Sequence, residues 1–365
     1  MEHRSVLETP IGIQTKFDLK DLRLIAMLSE DARTTFSYMA QVLHLSKDAV
    51  RYRYNKLVEL GLIAGNISIV NPFALGFEAV FIFLRMNTLP KEAEQDLLNY
   101  FSQHQHTMWV GTTLGNYDFI LFFAIKNNAH LKDIIMSIKS KCGHALINLH
   151  LIPVNSITSY RNFPPKMTED LGIKMERRKA DHSFGDLLVR PVMSSDSPKA
   201  TIDDLDGNLI IDLARNANED LVSLSRKYKV HTNTVKQRIR NLIHNKVICA
   251  FNTLINISQI GLNAFVIFLQ LNYQAEKSKV GQLDTFLNNI SAYVYKANGE
   301  WDYLIFVGTK NITEFYNLLL AVRNTFPDLI KNYSTLTLIK DFKFTFLTQG
   351  IAESIKNNLS IFIKK

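Results

Sequence analysis

The sequence holds only two cysteines, Cys142 and Cys249, 107 positions apart. Two thiols so far apart exclude a disulfide framework and a cysteine-rich zinc site, and they point to a reducing, intracellular setting. Long apolar runs are missing as well. The longest stretches, such as Ala79–Leu84 and Phe119–Ile125, fall far short of the roughly 20 residues that a membrane-spanning helix needs. Met1-Glu2-His3-Arg4 is not followed by an apolar signal core, so the expected location is cytoplasmic. There is no Gly-rich phosphate loop, no Gly-x-Ser-x-Gly elbow and no His-Glu-x-x-His run, and the commonest enzymatic signatures are therefore absent. His104-x-His106 brings two imidazoles, which could bind a metal only with further ligands. Neither a metal nor a cofactor is expected.

What is present suits a folded protein. Of 365 residues, 47% are hydrophobic, 10% aromatic and 21% charged, which is enough apolar surface to offset chain entropy. At roughly 150 residues per domain the length suggests two or three domains, or more if they are small. The net charge of +8 and a pI near 9.2 favour an anionic partner without naming one.

An internal repeat organises the chain. Shifted by 185 residues, Asp18–Asn87 aligns with Asp203–Asn272 without a gap, and 17 of the 70 pairs are identical, among them Asp18/Asp203, Val50/Val235, Arg53/Arg238 and Gly76/Gly261. At a shift of 184, Gly115-Asn116-Tyr117-Asp118 meets Gly299-Glu300-Trp301-Asp302. The period is too long for a solenoid and marks a tandem duplication. Between the copies, Arg161–Ala200 carries Pro164-Pro165, Pro191, Pro198 and the charge run Lys174–Asp181, a linker composition with room for one short helix.

Each unit changes its hydrophobic period part-way. In the first, Leu22, Ile25 and Leu28 follow Asp18, a good N-cap, and a second short helix precedes Ser46, which caps a third. Val50, Tyr54 and Leu57 recur at helical spacing and face inward. A strand over Leu62–Val70 completes a winged helix-turn-helix. The next ninety residues alternate strand and helix as βαββαβ, the ferredoxin-like order, with strands at Ala79–Met86, Met108–Thr113, Tyr117–Ile125 and Ile147–Pro153. Copy two repeats this and ends on a strand over Ser334–Ile339. The fold class is therefore α+β, duplicated in tandem. The expected boundaries are a tail 1–15, winged helices at 16–70 and 201–255, ferredoxin-like domains at 71–160 and 256–346, a linker 161–200 and a tail 347–365.

The third helix of each copy carries the recognition chemistry. Lys47, Arg51, Tyr52, Asn55 and Lys56 in the first, and Thr232, Asn233, Lys236, Gln237 and Arg240 in the second, point away from the apolar stripe. Arg and Lys suit phosphates and guanine edges; Asn and Gln can pair with adenine. Arg53 and Arg238 flank the stripe, within reach of a DNA backbone. From Ser225 to Lys246 there are seven Lys or Arg and no acid, against four basic and two acidic residues over Ala40–Gly61. Double-stranded DNA is the expected partner.

These features together resemble the Lrp/AsnC family of transcriptional regulators. The resemblance rests on Phe17-Asp18-Leu19-Lys20-Asp21, Leu45-Ser46-Lys47-Asp48-Ala49-Val50-Arg51-Tyr52-Arg53, Leu60-Gly61-Leu62-Ile63, Asn71-Pro72 through Gly76, and Gly115-Asn116-Tyr117-Asp118. It implies that the ferredoxin-like part is a RAM domain, which dimerises and in many members binds amino acids or related small molecules. An amino-acid-like effector is then expected near Thr112, Thr113, Gly115, Asn116 and Asp118, or near Gly299, Glu300 and Asp302. The structural alternative for these turns is that Gly supplies a positive φ and Asp bonds backbone amides. Copy two departs from the pattern: His231 replaces Ser46, Asn245-Lys246 replaces Leu60-Gly61, and Gly207 sits inside its first helix, at a cost of up to about 1 kcal/mol relative to Ala. The competing functions are an enzyme like the siroheme decarboxylases, which resemble this family in fold, and a metabolite-sensing adaptor that does not bind DNA. A linker of about forty residues spans on the order of 35 Å if flexible, which favours an intramolecular RAM pseudo-dimer over a homo-oligomer.

Overall fold

The computed structural model describes residues 17–173, 184, 190–272, 274 and 276–362. The expected N-terminal tail and the charge run Lys174–Asp181 lie outside the described residues. The first repeat comprises α1 (Leu19–Glu30), α2 (Phe36–Leu43), α3 (Lys47–Glu59) and β1 (Ile63–Val70), then β2 (Glu78–Met86), α4 (Lys91–Gln103), β3 (Thr107–Leu114), β4 (Phe119–Ile125), α5 (Asn128–Cys142) and β5 (Leu146–Tyr160). A short α6 (Pro165–Asp170) and β6 (Met193–Ser194) follow. The second repeat comprises α7 (Asp204–Arg215), α8 (Leu221–Tyr228), α9 (Thr232–His244) and β7 (Ile248–Ile255), then β8 (Asn263–Leu271), α10 (Lys277–Ile290), β9 (Tyr293–Ala297), β10 (Tyr303–Thr309), α11 (Ile312–Thr325) and β11 (Ile330–Phe344), and the last described element is α12 (Gln349–Phe362). The α+β class and the duplicated order are those read from the sequence.

Two compact units form, and each gathers like parts from both repeats. Among the described residues, one holds those of 77–160 and 257–345; the other holds those of 17–76, 161–256 and 346–362.

In the first unit, each βαββαβ module builds a four-stranded antiparallel sheet, in the orders β5-β2-β4-β3 and β11-β8-β10-β9. The modules then join twice. β11 pairs with β3, Leu338 opposite Thr113, and β5 pairs with β9, Val154 opposite Ala297. Eight strands thus close into a ring. β5 and β11 each run 15 residues, longer than the segments expected over Ile147–Pro153 and Ser334–Ile339. The reason is that each strand does two jobs. Its first half completes its own sheet and its second half extends the sheet of the other module, where polar residues such as Asn155, Ser156 and Thr158 mask the strand signal.

The period-2 alternation of β2 explains the two layers of core. Val80, Ile82 and Leu84 pack beneath α4 and α5 with Leu97, Phe101, Ile134 and Ile138. Phe81 and Phe83 point to the opposite face, where the two modules meet. Phe81 is fully buried. It stacks on Phe122 at 4.2 Å, meets Tyr295 edge-on at 4.9 Å and lies 6.1 Å from Phe306, so it touches aromatic rings from both copies.

The second unit is built around β1 and β7, an antiparallel pair running from Ile63 opposite Ile255 to Val70 opposite Ile248. Pairing is reciprocal. α1 packs on β7 and α7 on β1; the Ala32 amide donates to the Phe251 carbonyl, and the Ala217 amide donates to the Asn66 carbonyl. The segment after β5 is anchored in this unit, because Phe163, Ile173, Phe184 and Met193 are buried. Arg190 donates to the carbonyls of Ser29 and Glu30 at 2.7 Å each, satisfying the C-terminal end of α1 with a cation. α12 rests on α7 through the buried Ile351 and Ile355.

Truncating Phe81 should leave a cavity shared by both modules. Phe81→Ala is expected to cost about 3–5 kcal/mol in urea unfolding, whereas Tyr316→Ala, at a side chain 55% exposed, should stay within about 0.5 kcal/mol.

Candidate nucleic-acid interface

Each helix-turn-helix is set by local caps and one buried stripe. The Asp18 carboxylate accepts from the Asp21 amide while the Asp21 carboxylate accepts from the Asp18 amide, a reciprocal box that starts α1. Ser46 Oγ accepts from the Ala49 amide at 3.1 Å and starts α3. Val50 and Leu57 fix the buried side of α3; Val235, Ile239 and Leu242 fix that of α9.

Opposite that stripe, Lys47, Arg51, Tyr52, Asn55 and Lys56 are exposed, with Tyr52 at 70%. An aromatic ring left this open on a helix beside two arginines gains nothing for the core. On α9, Thr232, Asn233 and Gln237 are exposed and Lys236 and Arg240 half-buried. Gln237 donates to Asn241 at 3.0 Å, one turn along the helix.

Arg53 and Arg238 each meet two carboxylates. Arg53 Nη1 lies 2.8 Å from Asp18 and 2.7 Å from Asp21. Arg238 Nη1 lies 2.6 Å from Asp203 and 3.2 Å from Asp206. Both arginines therefore clamp the third helix to the capping box of the first. Burial alone would raise the Asp18 carboxyl, but the Asp21 amide and the Arg53 guanidinium outweigh it and hold that carboxyl below its ordinary value. The Asp21 hydrogen bond in turn raises the Arg53 guanidinium. The sequence carries the signal of this clamp in the identical pairs Asp18/Asp203, Asp21/Asp206 and Arg53/Arg238, which keep both the arginine and its two carboxylates in each copy.

Two departures of copy two resolve locally. His231 takes the N-cap position of α9 without any side-chain cap bond, so the cap supplied by Ser46 in copy one is lost. Lys246 occupies the left-handed region at φ 56°, as Gly61 does at φ 72°. The substitution thus keeps the turn after the helix at some backbone strain.

The turns proposed for an effector lie in the other unit. Gly115 and Gly299 have φ of 138° and 131°; a Cβ on Gly115 would sit 2.8 Å from Leu336 Cδ2. Asp118 Oδ2 accepts from the Met86 amide and Asp302 Oδ2 from the Leu271 amide, both at 2.7 Å. One carboxylate oxygen of each aspartate is thus committed to holding its turn against a neighbouring strand. Near the first turn a cavity of about 300 Å³ is lined by Glu94, Thr112, Thr113, Asp118, Phe119 and, from the second module, Ile339. Gly115 and Asn116 are exposed at the tip of the turn and do not line it. At the second turn Glu300 reaches the first module, its Oε2 lying 3.5 Å from His150 Nε2.

Comparison with known proteins agrees with this architecture. Residues 17–58 match the AsnC-type helix-turn-helix domain. The HTH-type transcriptional regulator Ptr1 of Methanocaldococcus jannaschii is 32% identical over 110 residues, which are 30% of this chain and 73% of that protein. The regulator FL11 of Pyrococcus abyssi is 29% identical over 141 residues, 38% of this chain and 92% of that protein. Such relatives match roughly one repeat. Over the whole length, the solved structure of the siroheme decarboxylase NirDL aligns with a TM-score of 0.57 and 9% identity, covering 94% of this chain and 99% of that one; this likeness is one of fold alone. With 32% identity to Ptr1 across 73% of its length and an AsnC-type domain at its first helix-turn-helix, the chain belongs to the Lrp/AsnC family of HTH-type transcriptional regulators.

Proposed function

We propose that this protein is a cytoplasmic regulator that reads an asymmetric operator, with α3 on one half-site and α9 on the other. The observation that carries this reading is the pairing of β1 with β7. It holds two recognition helices of different sequence in one compact unit of one chain. A symmetric dimer presents the same helix twice and suits a palindrome; here Arg51, Tyr52 and Asn55 stand where Lys236, Gln237 and Arg240 stand in the second copy. Among the described residues no helix is long and apolar enough to cross a membrane.

An amino-acid-like effector fits the same reading. Its place is the cavity bounded by Thr112, Thr113 and Asp118, where Ile339 of the second module supplies part of the wall. A ligand there regulates only if it binds one arrangement of the modules more tightly than another. The full-length likeness of fold to NirDL favours one second reading, an enzyme acting on a siroheme-like tetrapyrrole. Titrating the purified protein with such a tetrapyrrole, followed by its absorption band, tests that reading: a saturable complex that forms a new product supports the enzyme.

Binding to duplex DNA should depend steeply on salt, losing roughly 0.9 log units per log unit of salt for each phosphate neutralised. Replacing both Lys236 and Arg240 with Ala should flatten that slope by about two contacts. An unchanged slope, or no duplex binding at low salt, contradicts the proposal.

The two arginine classes should separate in a paired measurement. Arg51→Ala is expected to weaken DNA binding with little change in melting temperature. Arg53→Ala should lower the unfolding free energy by about 1.5–3 kcal/mol, because it leaves Asp18 and Asp21 without their charged partner.

A further inference from the structure

The two seams that close the ring occupy equivalent positions but have different chemistry. At the β3–β11 seam, Lys343 of the second module reaches the first and donates to the His104 carbonyl at 3.2 Å. His104 and His106 lie where α4 turns into β3, and their rings are 6.0 Å apart. His130, in the first turn of α5, sets its ring 4.2 Å from that of His106. His106 is only 5% exposed and its Nδ1 is buried without a hydrogen-bond partner. The remaining ring nitrogens are partly committed: His104 Nδ1 accepts from the His106 amide and His130 Nδ1 from the Lys126 amide. Three imidazoles and the Lys343 ammonium are thus gathered with Lys126 close by. Of the acids, Asp133 acts on His130, and Asp341 stands two residues before Lys343 in β11.

At the β5–β9 seam the equivalent positions, 184 residues away, carry no such group. Ser159 stands for Lys343, Asn288 for His104, Ile290 for His106 and Glu314 for His130. Ser159 Oγ donates to the carbonyls of Ser291 and Ala292, and Thr158 Oγ1 donates to Asn288 Oδ1 at 2.8 Å. Glu314 accepts from the Lys310 amide, the role His130 plays toward Lys126. The fold therefore needs no imidazole at this place.

We propose that the β3–β11 seam is an acid-sensitive latch, which opens on acidification while the β5–β9 seam stays closed. Neutral imidazoles pack at the first seam; once protonated they stand beside Lys343 and Lys126, and separation of the strands relieves the repulsion.

The direction follows from where the protons bind. Burial first, then Lys343 and His130, brings His104 from its ordinary 6.5 down to about 4. Burial, then His130, His104, Lys126 and Lys343, brings His106 down to about 4. Burial and Lys126 lower His130, against the pull of Asp133. Burial alone lowers Lys343 to about 8, so it is already cationic at neutral pH. Histidines that bind protons more tightly in the open seam than in the closed one leave the closed seam fully favoured above 6.5. They oppose it progressively as the pH falls toward 4.

Hydrogen exchange on the full chain, read by mass spectrometry at about pH 7.5 and about pH 5 and corrected for intrinsic rate, tests the latch. Protection in 107–114 and 337–344 should drop at least about tenfold relative to protection in 154–160 and 293–297. The triple variant His104→Gln, His106→Gln, His130→Gln should abolish that difference. Should the triple variant fold poorly, Lys343→Met provides the second arm: removing one neighbouring cation should shift the opening to lower pH. Equal loss at both seams, no loss at either, or an undiminished difference in the variants overturns the proposal.

Discussion

Closure of the eight-stranded ring is the constraint on which the RAM unit depends. Neither four-stranded sheet can hide its inner aromatic face alone. Phe81, Phe83, Phe122 and Trp109 from one copy meet Tyr295, Phe306 and Phe268 from the other, and β5 and β11 must each cross into the partner sheet to bring them together. A free single module would expose both this face and an open strand edge, which invites pairing with another chain. Tandem duplication supplies the second module in the same polypeptide, and both seams are satisfied internally.

The winged-helix unit follows the same logic with a different element. Its two modules share one two-stranded ladder, and each first helix packs on the strand of the other copy. The segment between the repeats belongs to this unit: Phe163 and Phe184 are buried, and Arg33 lies over the rings of Phe184 and Phe251 at 5.3 Å. Duplication also releases the copies from identity. In a homodimer any change to the recognition helix appears on both half-sites. In this chain α3 and α9 have diverged while the Arg53 and Arg238 clamps that position them have not.

Much of this was legible in the sequence. Helical spacing at Val50 and Leu57, the capping residues Asp18 and Ser46, and the switch from period 3.6 to period 2 near residue 78 all report local physics, and local physics repeated twice is hard to mistake. What stayed hidden was long-range. The second halves of β5 and β11 pair with a partner sheet that no window around Ser156 or Lys340 can reveal. The clamp at Arg53 joins residues 35 apart, and an arginine beside an exposed helical face looks the same whether it meets a phosphate or two aspartates. The contact of Lys343 with His104 spans 239 positions. His104 and His106 were visible only as an isolated pair, short of ligands for a metal, because the third imidazole and the lysine arrive through the fold.

The central claim is that one chain alone presents two unlike recognition helices to one operator. Sedimentation of the protein bound to a duplex selected from random sequence measures it most directly, because the mass of the complex counts chains while the selected sequence reports symmetry. The account predicts one chain per duplex and a site whose two half-sites differ. Two chains bound symmetrically to a palindrome would contradict it.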